Sequence, residues 1–144
     1  MILSLLKECK FQKVIDTQAA GTGTTVGDIL DLGSADSVIG VLALGDVTDT
    51  SVITLQLFAG DESDMSDEEV LGTTASYTAG ASDADDKLLV LDYIGLQKRY
   101  VRFKVVVATA NAVIESVVSG IYNQKALPVS QSSDVIDGEL GLGS

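Results

Sequence analysis

The chain contains no histidine and no tryptophan, a single cysteine (Cys9) and a single proline (Pro128). Without histidine there can be no Ser–His–Asp triad, no Cys–His nucleophile and no imidazole metal site. One cysteine permits no intrachain disulfide and no Cys-cluster zinc site. Aromatic residues make up only 5% of the 144 residues, so Val, Leu, Ile and Ala must fill the core. Basic residues are scarce as well, 9 against 21 acidic ones, for a net charge of −12. A surface of that sign disfavours free nucleic acid and anionic membranes as partners, because phosphate needs a basic counterpart.

Hydrophobic residues amount to 46%, enough for a one-domain core that buries about 68–70% of the unfolded surface. MILSLLKECK places its apolar run before its first lysine, the reverse of a secretory signal, so none is expected. No apolar run reaches the length of a membrane-spanning helix. The charge is segregated: fifteen acidic residues and no basic one lie between Lys13 and Lys87. Such asymmetry favours oriented association, and sheet topology can also bring the opposed segments together.

Residues 1–25 read as an N-terminal arm ending in the small, linker-like AAGTGTT. Residues 26–123 read as the domain proper. SVIGVLAL (Ser37–Leu44) has the look of a buried strand, with Gly40 marking a bulge or a close approach. In SVITLQLF (Ser51–Phe58), Ile53, Leu55 and Leu57 share one face, with Thr54 and Gln56 on the other. Weaker strands are expected at 29–32, 71–77 and 87–93. Leu96–Tyr122 reads as two long antiparallel strands joined by a tight turn, TANA, in which Asn111 takes the left-handed conformation. Arg99, Val101, Phe103, Val105 and Val107 share a mostly inward face; Tyr100, Arg102 and Lys104 look outward. The pattern is that of an all-β protein, an antiparallel sandwich of jelly-roll type with extended N- and C-terminal arms. Residues 124–144, rich in Ser and Gly yet carrying Val129, Val135, Ile136, Leu140 and Leu142, read as the C-terminal arm or tail.

Candidate chemistry is sparse. GTGTTVGD lacks both the GK[ST] of a phosphate loop and strict GxGxxG spacing. The acidic loop offers Asp61, Asp64, Asp67 and Glu68 as oxygen ligands for calcium, without EF-hand spacing. This supports an alternative reading, a calcium-dependent β-sandwich module for glycans or host surfaces. A carboxylate-based hydrolase would need two acids facing each other in a cleft. Arg99, Arg102 and Lys104, with Tyr100 among them, form a candidate partner-binding patch for carboxylates.

KRYVRFKVVVATANAVIESVVSGIY, followed by a short proline-containing tail, resembles the C-terminal half of small structural proteins of tailed bacteriophages. There an RY-[VL]-R strand leads through a small-residue turn to a Val/Ala-rich strand. VITLQLFAGDES fits the same pattern, and the resemblance spans about Ser37 to Pro128. The family is that of capsid decoration (cement) proteins and minor head proteins. It implies a non-enzymatic virion protein without cofactors, made in the host cytoplasm and placed on the capsid surface. The implied partners are the major capsid protein and other copies of itself, as a dimer or trimer.

Overall fold

The computed structural model describes residues 4–125 and 127–143. After one helical turn at Leu5–Glu8 come nine strands: β1 (Cys9–Ile15), β2 (Gln18–Val26), β3 (Leu30–Asp31), β4 (Ser37–Val47), β5 (Val52–Gly60), β6 (Glu69–Val70), β7 (Ala75–Thr78), β8 (Leu88–Tyr93) and β9 (Tyr100–Tyr122). All the pairings are antiparallel. The fold is all-β, a sandwich of jelly-roll type in which one strand belongs to both layers.

That strand is β9. Its first half lies between β5 on one side and β2 and β3 on the other, with β6 and β7 extending the layer beyond β5. Its second half lies between β4 and β1, with β8 beyond β4. The two halves do not pair with each other, so the expected hairpin at 96–122 is absent. TANA turns the chain between layers, not back on itself. Gly21 opposes Ala112 while Gly23 opposes Val107, so β9 bulges outward at the corner. The left-handed residue there is Thr109 (φ 75°), not Asn111. A strand that changes layers through a bulge is how sandwich corners are built.

Alternation places the core. Ile53, Leu55 and Leu57 of β5 and Val101, Phe103 and Val105 of β9 are fully buried. Val38, Leu42 and Leu44 of β4 and Ile114, Val117 and Ile121 of β9 close the core from the other layer. Gly40 is a close approach: a Cβ there would lie 2.5 Å from the Phe103 ring.

AAGTGTT is not a linker. It lies within β2, whose residues are mostly exposed and small, and its strand character comes from main-chain pairing with β9. Cys9–Ile15, in the expected arm, likewise pairs with the end of β9. The expected strand at 71–77 contracts to β7, with the two-residue β6 before it.

The C-terminal segment forms no strand, yet it covers the outer edge of β1. Gln131 donates from Nε2 to the carbonyls of Leu6 (2.8 Å) and Cys9 (2.6 Å), and its Oε1 accepts the Phe11 amide (2.8 Å). Ser132 donates to the Phe11 carbonyl, and Asp134 accepts the Lys13 amide.

Candidate functional site

The two candidate sites read from the sequence, the basic strand and the acidic loop, are brought together. The turn after β5 carries residues 61–68 back over the outer face of β9. There Glu68 accepts hydrogen bonds from Arg102 Nε (2.7 Å) and Lys104 Nζ (2.6 Å). All three side chains are at least three-quarters covered, at 18%, 21% and 15% exposed. Lys104 also sits 3.9 Å from the centre of the Phe58 ring. The Arg102 hydrogen bond holds the Glu68 carboxyl below its usual range, against the opposing effect of partial burial.

The flanking cations are paired as well, in water. Arg99 makes a bidentate contact to Asp31 at 2.8 and 2.9 Å, and Lys98 reaches Asp61 at 2.6 Å. Arg99 also lies 5.3 Å from the Tyr100 ring centre. Asp31 is lowered chiefly by the Arg99 hydrogen bond. These exposed pairs fix geometry more than they stabilise, typically contributing about 0–1 kcal/mol.

The carboxylates offered for calcium are turned to other tasks. Asp67 accepts the amides of Asp61 (2.9 Å) and Glu62 (3.1 Å), closing the loop on itself and lowering its own pKa. Asp64 accepts the Ser66 amide, and Met65 between them is buried with φ 61°. Among the described residues no three acidic side chains converge as a metal site. A cleft of about 250 Å³ opens between β7 and β8. Its one carboxylate, Asp83, is held by the Gly80 amide and the Tyr77 hydroxyl, so no pair of acids faces across it.

The structure thus places Tyr100, Arg102 and Lys104 on one outer face, with Arg99 at the strand's mouth. Sequence reasoning missed two things: Glu68 as the counter-ion of that face, and a second outer face of a different kind. On β8, β4 and β9, Leu88, Val90, Val41, Ile39 and Val118 lie side by side, with Leu88 60% and Val90 49% exposed. The outward positions of KLLVLDY were the available signal, since a strand buried on one face should be polar on the other.

No protein-family model matches the chain, and no curated protein matches it in sequence. Among solved structures, the chain is similar to the infectious bursal disease virus VP2 subviral particle. The TM-score is 0.50 at 9% identity, with 79% of this chain covered. This chain spans about a third (32%) of that one. The SPBc2 prophage-derived protein YomS matches with TM-score 0.44 and 15% identity over 84% of this chain and 97% of its own. Eiger TNF from S. frugiperda matches with TM-score 0.40 and 8% identity over 88% and 99%. At 9% identity the likeness to the VP2 subviral particle is one of fold.

Proposed function

We propose that this protein is a virion structural protein, a capsid decoration protein that binds the outer shell and stabilises the assembled head by bridging major capsid subunits. The observation that carries the reading is the C-terminal segment. Its polar residues 131–134 are tied to β1, while Ile136 is 98%, Leu142 73% and Leu140 44% exposed. An apolar arm leaving an acidic β domain enlarges the contact area that the domain presents to a partner. The fold, shared with part of a protein that forms a subviral particle, supports the same reading.

In this proposal the arm anchors in a groove between capsid subunits, and Arg99, Tyr100, Arg102 and Lys104 form the second contact. A carboxylate on the shell would compete with Asp31 and Glu68 for the guanidinium groups. Binding that favours the assembled shell stabilises it by mass action. Purified protein mixed with undecorated capsids should appear as stoichiometric density on the shell; bare capsids would overturn the proposal. Deleting residues 135–144 should abolish that density with little change in the melting temperature, and Tyr100→Ala should weaken it.

A further inference from the structure

The edge of β1 that faces away from β9 is covered by side chains, not by a strand. Among the described residues, the outward main-chain groups of Cys9, Phe11 and Lys13 are bonded by Gln131, Ser132 and Asp134. The Gln131 carboxamide stands in for a peptide unit: its Oε1 accepts from the Phe11 amide while its Nε2 donates to the Cys9 carbonyl. Ser132 and Asp134 continue the series at the Phe11 carbonyl and the Lys13 amide. The Val129 amide starts it at the Lys7 carbonyl (2.8 Å). Charge follows the same fit. Residues 4–15 hold Lys7, Lys10 and Lys13 against Glu8, and residues 127–143 hold Asp134, Asp137 and Glu139 with no basic residue. The edges of β2 and β8 are open as well, but at β1 the structure shows which sequence fits.

The connection from β9 to this strap is lightly held. Among the described residues, two hydrogen bonds tie 123–128 to the body: Asn123 Nδ2 to Asp36 (2.9 Å) and the Lys125 amide to Ser34 (3.3 Å). Clefts of about 250 and 290 Å³ lie between the connection and the Leu5–Glu8 turn, and Leu127 is half exposed. Asn123 takes a left-handed φ of 65°, which straightening would release. We infer that the strap is exchangeable: the β1 edge takes residues 129–134 of a second copy as it takes its own, giving a two-fold dimer in which each subunit's strap lies on the other's β1. Every strap bond is the same within one chain and between two, so exchange replaces contacts one for one and requires only that the connection open. What holds the strap at home is its high local concentration, which the length of the connection sets. Reciprocal exchange closes on two copies and leaves neither edge bare. The inference rests on the β1 contacts alone and does not require that the protein bind a capsid.

Shortening the connection tests this. Neighbouring strands stand about 4.8 Å apart, so the chain must cross roughly 10 Å from β9 past β1 to reach the strap's position. Deleting residues 124–127 leaves three Cα steps from Tyr122 to Val129, about 10 Å at full stretch, with nothing to spare for passing round the Leu5–Glu8 turn. The shortened protein should sediment as a dimer at micromolar concentration, with the Phe11 and Lys13 amides as slow to exchange with deuterium as in the wild type. Adding Gln131→Ala and Asp134→Ala to it should return the monomer. A monomeric shortened protein, or a dimer indifferent to the two alanines, would overturn the inference. Should the deletion impair folding, the full-length chain carries the same test. Gln131→Ala, Ser132→Ala and Asp134→Ala together unfasten the strap, and a peptide of residues 127–140 added in trans should bind and slow exchange at both amides. The same peptide with Gln131→Ala should bind more than about tenfold more weakly. No binding, or equal binding of the two peptides, would sink the exchange.

Discussion

Two positions show how much a single side chain decides in this fold. Gly40 sits on β4 directly beneath the Phe103 ring, and Phe103 is itself fully buried among core residues of both layers. A methyl group at 40 would meet ring carbons at 2.5 Å, and a ring packed on every side has nowhere to go. Gly40→Ala should cost about 1–3 kcal/mol by overpacking, read as a lower urea midpoint with an unchanged slope. Glu68 is the second. Glu68→Gln leaves Arg102 and Lys104, both mostly covered, without their counter-charge, and should cost about 1–2 kcal/mol at pH 7 after allowance for solvent screening. The folded-state pKa of Glu68 lies below the ordinary 4.5. Its contribution is therefore fully present above that value and is lost as pH falls through the folded pKa. The gap between wild type and Glu68→Gln, measured by denaturant titration, should hold from pH 7 to 5 and shrink below about pH 4.5. A gap that widened on acidification would refute the ion-pair account.

The strands show what a one-dimensional reading can and cannot supply. Alternation in SVITLQLF and in residues 100–107 is local, set by side-chain period, and the structure reproduces it position by position, whereas Arg99, expected on the inward face, precedes the strand and turns out to Asp31. The path of the chain beyond TANA is set by partners far away: β5 takes one half of β9, and β4 takes the other. No local pattern distinguishes a turn back from a turn across. β2 escaped notice for a related reason. Its Ala, Gly and Thr side chains bury little, and what makes it a strand is the neighbouring main chain. At the candidate site the segregation of charge was visible in the sequence. The pairing of Glu68 with residues 34 and 36 positions away was not. The corner gives this contrast a test. Thr109 holds φ 75° with a β-branched side chain, a strained arrangement, whereas Asn111 has a negative φ. Thr109→Gly should leave stability unchanged or raise it by up to about 1 kcal/mol, and Asn111→Gly should lower it by a few tenths. A hairpin turning at Asn111 demands the opposite order in thermal midpoints.

At the scale of the whole molecule, charge and apolar surface divide the work. The outer face of the first half of β9 is ionic and internally paired, the outer face of β4 and β8 is apolar, and the body between them carries a net −12. Two such bodies repel over distances comparable to the Debye length, about 10 Å at 0.1 M salt, while aliphatic contact through the outer face of β4 and β8 is not weakened by salt. Added salt screens the repulsion and leaves aliphatic contact intact, so self-association through that face should tighten severalfold between low and physiological ionic strength. Ion-pair interfaces behave the other way, losing affinity as salt rises. Sedimentation equilibrium across a salt series separates the two cases in one protein preparation. An association that weakens steadily with salt would place self-assembly on the Arg99–Lys104 face, where the cations would exchange their own carboxylates for those of a neighbour. One that tightens leaves that face, and the apolar arm beside β1, free for a different partner.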